Sequence, residues 1–239
     1  MKAMILAAGR GERMKPLTDK CPKPLLKVKG VALIEHHIKK LAQIGIKEVI
    51  INHAWLGEMI ERYLKDGSQW QINITYSAEA PALETAGGII NALPLLGNKP
   101  FLLINSDVYT AYDFTDLPIL PDDKLAHLWL VKNPEHNLSG DFFINDGLLQ
   151  NKPLNSEVRQ KQKSYTYSGI AIFKPEFFQQ VSFQHLRTST IDKTSILPLA
   201  PMLRVAAEHG RITASVLPYD WTDVGTPERL AQLNSFQPS

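Results

Sequence analysis

The chain has 239 residues, 44% hydrophobic and 21% charged, with a formal net charge of +2, enough apolar residue to bury a core and too much for disorder. Its N-terminal apolar run, Ala3–Ala8, is too short for a signal segment or a membrane span, and a single cysteine, Cys21, excludes an intramolecular disulfide, so a cytoplasmic protein is expected. Residues 1–30 carry eight Lys or Arg against two acidic residues, whereas the other 209 carry 18 basic and 22 acidic groups, which suits one local anion site and not a nucleic-acid surface.

Lys2–Ala7 reads as a buried strand ended by Gly9. Residues 8–30 hold three glycines, three prolines and the basic excess. That is a long loop, of the kind that is usually functional in a compact domain. Ile34, Ile38, Leu41 and Ala42 recur at helical spacing up to Gly45. Val49–Ile51 is strand-like, Trp55 to Leu64 forms a helical stripe, and Ile72, Ile74 and Tyr76 alternate as a strand. Ala86–Leu93 is expected as a helix stopped by Pro94, and Phe101–Ile104 as a fourth strand. Strand and helix alternate through about residue 105, which implies a doubly wound α/β sheet with helices on both faces. After Asp107 the rhythm changes. Leu125–Val131, Asp141–Ile144, Leu148–Leu149 and Tyr165–Phe173 read as strands, with 150–164 as a polar flap or hairpin between them. Ser195–Glu208, Ile212–Leu217 and Pro227–Leu233 follow as helix, strand and helix. The expected fold is α/β, mostly parallel, with a small antiparallel extension. A single domain over 1–239 is expected, with no linker to divide it.

The chemistry concentrates in the basic loop. A strand running into Gly9-Arg10-Gly11 frees backbone N–H groups for an anion. Arg13 follows at once, and Pro22-Lys23-Pro24 holds a lysine between two rings. A forked guanidinium and a point-charge ammonium beside a glycine turn suit a polyphosphate. The third glycine of a dinucleotide fingerprint and the Gly-Lys-Ser/Thr of a Walker loop are both absent. Asp107 lies just beyond a buried strand and Asp223 in Trp221-Thr222-Asp223-Val224-Gly225-Thr226. Two aspartates could hold Mg²⁺ on a nucleotide, and either could equally cap a turn.

Leu6–Met14, Pro16-Leu17-Thr18, Pro22-Lys23-Pro24-Leu25 and the Trp221–Thr226 segment resemble the sugar-1-phosphate nucleotidylyltransferases over nearly the whole chain. The resemblance implies a Rossmann-like nucleotide-binding half, 1–106, and a sugar-binding half, 107–239. It also implies attack of a sugar 1-phosphate on the α-phosphorus of a nucleoside triphosphate. Arg13, Lys23, Asp107 and Asp223 match the family's catalytic positions, the two aspartates as Mg²⁺ ligands. Leu6, Ala8, Gly9, Gly11, Glu12, Arg13, Lys23, Glu79, Thr85, Gly88 and Asn105 are expected on the nucleotide, Glu79 where pyrimidine-using relatives read the base. Thr85 is expected to cap the helix that follows it. Asp141, Ser168 and Gly169 are expected on the sugar.

Asn52-His53-Ala54-Trp55-Leu56-Gly57, Leu83-Glu84-Thr85, Asn133-Pro134, Gly140-Asp141-Phe142 and Ser168-Gly169-Ile170 resemble most the N-acetylmuramate-α-1-phosphate uridylyltransferases of cell-wall sugar recycling. UTP is therefore the expected nucleotide. Mannose-1-phosphate guanylyltransferases are the alternative, and a nucleotide-binding regulator without catalysis is a remote one. The left-handed β-helix of many longer relatives is not expected. Neither Asn151-Lys152-Pro153 nor Glu157…Lys161 matches the family's second lysine in full. Adjacent His36 and His37 point about 100° apart on a helix and cannot chelate together. Cys21 is expected as an ordinary thiol, although the basic loop could lower its pKa.

Overall fold

A computed structural model describes residues 1–152, 162–180 and 196–235. The first apolar run forms β1 (Lys2–Ala7). Its side chains alternate between faces, Met4 joining one core cluster and Ala3 and Ile5 the other. A strand buried on both faces requires helices above and below it.

Three 3-10 turns follow, at Glu12–Met14, Leu17–Asp19 and Lys23–Leu25. A hairpin then pairs β2 (Lys27–Val28) with β3 (Val31–Ala32). Lys29 and Gly30 both have positive φ, 51° and 80°, which matches the twist of a two-residue hairpin turn. Next come α1 (Leu33–Gln43), β4 (Glu48–His53), α2 (Gly57–Leu64), β5 (Asn73–Ala78), α3 (Glu84–Leu96) and β6 (Phe101–Asn105). In the sheet these strands stand in the order β5-β4-β1-β6, all parallel. The winding reverses at β1, so a crevice opens beyond the carboxyl ends of β1 and β6. Doubly wound sheets bind ligands there.

The second half supplies β7 (Val108–Thr110), β8 (Ala126–Val131), β9 (Phe142–Asn145), β10 (Leu148–Gln150) and β11 (Ser164–Phe173). Then follow α4 (Phe177–Gln180), α5 (Leu199–Glu208), β12 (Ile212–Val216), β13 (Trp221–Asp223) and α6 (Pro227–Ser235). The nine-stranded sheet continues as β6-β11-β8-β12-β10-β9, and β7 pairs separately with β13. The sheet is mixed as expected, but its antiparallel part is not confined to an edge. β11 runs antiparallel between β6 and β8, in the middle of the sheet. α1 and α2 pack on the face of Ile5, Val49 and Ile51, and α3 and α5 on the face of Met4, Leu103 and Leu128.

Two helix boundaries differ from expectation. Pro94 does not stop α3, which runs on to Leu96, because one proline in the last turn removes a single N–H. The later helix starts at Leu199 with Pro198 as its cap residue. Pro201 sits in its first turn, where N–H groups have no intrahelical partner. The expected flap or hairpin falls largely in 153–161, outside the described residues, as do Glu157, Lys161 and Ser195. Among the described residues no helix is long and apolar enough to cross a membrane.

Two histidines are enclosed in the fold. Burial pushes the His37 imidazole down to about 3, helped by the nearby Lys40 charge. On β8, burial pushes His127 down to about 4, while its nitrogens meet Thr213 Oγ1 at 2.9 Å and Ser215 Oγ at 3.0 Å. Both are neutral when folded and protonate near 6.5 once exposed. Their stabilising share is therefore whole above about pH 6.5 and falls as the pH drops toward 4, by up to about 1.4 kcal/mol per pH unit for each. Urea unfolding midpoints from pH 7.5 to 4.5 should decline in this way, and His37→Leu should flatten the slope.

Candidate active site

A pocket of about 640 Å³ opens beyond β1 and β6, within the range of small-molecule sites. Ten of the expected residues line it: Leu6, Ala8, Gly9, Gly11, Glu12, Arg13, Lys23, Thr85, Asn105 and Asp107. Arg10, Asn52, Ala82, Glu84, Ile196 and Gly225 line it as well. Glu79, Gly88, Asp141, Ser168, Gly169 and Asp223 do not line it.

The floor is the glycine turn. A Cβ on Gly9 would meet nothing within 4 Å, so that position leaves room for a ligand. Gly11 has φ +70°, and a Cβ there would press on Thr18 Cγ2 at 3.0 Å and Lys23 Cβ at 3.3 Å. Its carbonyl accepts from Thr18 Oγ1 at 2.8 Å and Met14 N–H at 2.9 Å. Arg13 is exposed and has no hydrogen-bond or ion-pair partner among the described residues. Glu12 faces cations: Lys15 at 2.6 Å and Arg10 at 2.5 Å hold its carboxyl below the usual carboxylate range, Lys15 most strongly. A bare carboxylate would repel a polyphosphate, and this one is neutralised from within the loop.

Lys23 is largely enclosed, its side chain 12% exposed, with Nζ 2.5 Å from Asp107 Oδ2. Asp107 and Asp223 are joined through the backbone. β13 pairs antiparallel with β7, and Val224 N–H donates to the Asp107 carbonyl at 2.8 Å. Asp223 Oδ2 is paired with Arg229 Nη1, which also donates to the Asp223 carbonyl at 3.1 Å. His136 Nε2 lies 3.2 Å from Oδ1 but off the hydrogen-bonding direction, so Oδ1 is buried without a hydrogen bond. A buried carboxylate oxygen without a hydrogen bond, on a strand whose backbone is bonded to that of Asp107, is donor chemistry that fits a hard divalent cation. Mg²⁺ needs only one or two protein carboxylates besides water and phosphate oxygens. Among the described residues no group of three or more His, Cys, Asp or Glu side chains is placed to hold a metal.

The pocket wall opposite is wired by a residue that sequence reasoning did not single out. Asn52, at the end of β4, accepts from Ala7 N–H at 2.9 Å and donates to Glu79 Oε1 at 2.6 Å. Glu79 Oε2 accepts from Leu83 N–H at 2.8 Å. Both oxygens of the expected base reader are thus committed inside the protein. Gly88 has the same duty, since a Cβ on it would stand 2.5 Å from Glu79 Oε1 and 2.7 Å from Asn52 Nδ2. Thr85 lines the pocket but does not cap α3. The Leu197 carbonyl does so, accepting from Ala86 and Gly87 N–H at 2.9 and 3.1 Å. The available signal for Asn52 was a polar residue ending an apolar strand beside the phosphate turn.

The expected sugar residues are more internal than anticipated. Ser168 is fully buried, its hydroxyl donating to the Trp129 carbonyl at 2.7 Å, so it shapes a bulge in β11 and offers no hydroxyl to a ligand. Gly169, φ +77°, makes room for Asn105, whose Nδ2 would lie 2.7 Å from any Cβ. Asp141 accepts from Asn137 Nδ2 at 3.0 Å and Tyr167 N–H at 2.8 Å. Burial pushes the Cys21 thiol up, opposite to what the surrounding charges suggested, so it is a poor nucleophile. His36 meets the Val28 carbonyl at 3.0 Å, and His37 packs toward Phe114.

The sequence profile of the Nucleotidyl transferase family matches residues 2–239. The chain is 48% identical over 241 residues to the N-acetylmuramate alpha-1-phosphate uridylyltransferase of Neisseria meningitidis serogroup B, covering 99% of this chain and 98% of that protein. It is 30% identical over 235 residues to mannose-1-phosphate guanyltransferase beta-B of Xenopus laevis, covering 95% of this chain but 62% of the relative. A crystal structure from Bacillus anthracis, assigned as a glucose-1-phosphate thymidylyltransferase and holding sucrose, superposes with a TM-score of 0.79 at 22% identity. It covers 98% of this chain and 94% of that one and shows the fold.

Asn52→Ala would strand the Ala7 N–H and Glu79 Oε1 in a buried place. The expected loss is about 2–4 kcal/mol of stability, read from urea unfolding. A loss within about 0.5 kcal/mol would mean that water replaces the bridge.

Proposed function

The chain belongs to the Nucleotidyl transferase family, and we propose that it transfers the uridylyl group of UTP to N-acetylmuramate 1-phosphate, giving UDP-N-acetylmuramate and pyrophosphate. The observation that carries this reading is the pocket at the winding reversal, where Lys23 Nζ stands 2.5 Å from Asp107 above the glycine turn. The 48% identity over nearly all of both chains favours the uridylyl and muramate assignment over the guanylyl one, supported at 30%. Residues 1–106 serve the nucleotide and 107–239 the acceptor. A cytoplasmic place in cell-wall sugar recycling follows from these substrates.

The acceptor phosphate is already ionised at neutral pH, so no side chain is required as general base. The obstacle is the meeting of two polyanions. Positioning and preorganised positive charge can remove it. The Ala8–Gly11 turn offers backbone N–H groups to the triphosphate. Lys23, held against Asp107, faces the α-phosphate, and Arg13, without a partner among the described residues, takes the leaving pyrophosphate. Asp107 and Asp223 would hold Mg²⁺, which when bound supplies positive charge to the phosphate oxygens. Thr85, Ala82 and Glu84 form the wall for the base, kept in place by Glu79. Asn105, packed on Gly169, faces the nucleotide pocket, and Asp141 fixes the segment between Asn137 and Tyr167.

Pyrophosphate release should be measured with UTP and GTP against muramic, glucosamine, glucose and mannose 1-phosphates. Release is expected with UTP and N-acetylmuramate 1-phosphate, and turnover should fall about 10²–10³-fold in Lys23→Ala and further in Asp223→Ala. Release only with GTP and mannose 1-phosphate would transfer the assignment to the guanylyl reading. No release with any pair would leave a nucleotide-binding regulator.

A further inference from the structure

The phosphate loop holds one guanidinium that the reaction above leaves without a task. Arg10 lies between Gly9 and Gly11 and lines the pocket. Its guanidinium carbon sits 3.7 Å over the ring of Trp55, and its Nε donates to Glu12 Oε1 at 2.5 Å. The two terminal nitrogens have no partner among the described residues. The stack and the Nε bond therefore fix the plane of the group and leave its fork open.

Trp55 is itself held by the loop that it supports. Its Nε1 donates to the Thr18 carbonyl at 3.0 Å, and Thr18 Oγ1 donates to the Gly11 carbonyl at 2.8 Å. Ring, loop and glycine turn are one bonded unit. The turn carrying Trp55 is equally constrained. Asn52 is tied to Ala7 N–H, His53 Nε2 meets Glu61 Oε1 at 2.7 Å, and Leu56 has φ 52°. No Cβ could stand at Gly57, because His53 fills that space. The whole segment Asn52–Gly57 thus acts as a bracket for the ring.

We propose that Arg10 is a second guanidinium for the terminal phosphates of the triphosphate, with Trp55 as its positioning residue; this rests on the nucleotide reading of the pocket. A planar fork matches two phosphate oxygens, which neither a base nor a sugar hydroxyl does as well. Arg10 stands three residues before Arg13 in the same glycine-rich loop, so its charge is directed to the departing pyrophosphate and not to the α-phosphorus that Lys23 faces. A long side chain loses rotamer freedom when it binds. Here the aromatic face has already restricted it, and the stack adds cation–π attraction. Glu12 is held by Lys15 as well, so its charge stays countered when the open fork of Arg10 takes a ligand.

The test titrates inorganic pyrophosphate, and separately UTP and GTP, into the full chain with magnesium present, by calorimetry and tryptophan emission. Arg10→Ala and Trp55→Leu should each weaken pyrophosphate binding about tenfold. The double variant should be no weaker than Arg10→Ala, and Trp55→Phe, which keeps a ring under the guanidinium, should restore most of the affinity. In turnover the KM for the triphosphate should rise while kcat changes little. Wild-type pyrophosphate affinity in Arg10→Ala, with UTP still bound by the parent, overturns the assignment of Arg10 and leaves the uridylyl reading intact. Tenfold weaker pyrophosphate binding in Arg10→Ala, together with a parent protein that prefers GTP, overturns the uridylyl reading alone. A Trp55→Phe variant as weak as Trp55→Leu overturns the positioning role. Urea unfolding checks each variant, and if Trp55→Leu does not fold, Arg10→Ala decides.

Discussion

When β1 stops pairing at its carboxyl end, the Ala7 N–H needs a new partner, and Asn52 supplies it. An unpaired buried amide is costly, so this one bond sets where the chain leaves the sheet and hence where the glycine turn begins. The same side chain passes the constraint on. Its amide donates to Glu79, whose other oxygen holds Leu83 N–H. The Leu83 carbonyl accepts from Leu197 N–H, and the Leu197 carbonyl caps α3. The glycine turn, the segment around Leu83 and the helix cap are thus successive links in a single series of hydrogen bonds.

Charge is arranged on the same principle. A site for a polyanion needs several cations close together, and close cations repel each other. The fold resolves this by giving most of them an internal carboxylate: Lys23 to Asp107, Arg229 to Asp223, Arg10 and Lys15 to Glu12. The two pairs on Glu12 are exposed, so they contribute little as isolated salt bridges. The effect of all these pairs is on placement. Arg229 shows it clearly. It lies in the first turn of α6, the wrong end of a helix for a positive charge, and its ion pair with Asp223 accounts for the position.

The first half of the fold was legible because burial on both faces gives continuous apolar strands, and Gly45, at φ 81°, follows the end of α1. The glycine turn was legible because positive φ at Gly11 excludes most other residues. Strand direction was not legible. The alternation Ile170, Ala171, Ile172, Phe173 between the two cores is the same for a parallel and an antiparallel strand, so nothing in it could place β11 mid-sheet. Glu79 was read as a base reader because its neighbourhood in the chain was visible and the competing demands of Asn52 and Leu83 N–H were not. The direction in which its surroundings push the Cys21 thiol was hidden for a similar reason. Nearby charges appear in the sequence, whereas desolvation depends on what packs over the thiol.

The bulge in β11 shows how the two halves come to share a site. The register with β8 slips between Tyr167 and Ala171, and that slip turns the Ser168 hydroxyl inward to the Trp129 carbonyl. It also presents the Ser168 carbonyl to Trp221 Nε1 at 2.8 Å. Trp221 begins β13, so the strand that carries Asp223 hangs from this bulge. Gly169, beside it, leaves the space that the Asn105 side chain occupies at the end of β6, two residues before Asp107. A regular β11 would keep its ladder hydrogen bonds and lose both contacts. Bulges recur where a strand must re-aim its neighbours near an active site, and here what is re-aimed is the ribbon that carries Asp223 to Asp107.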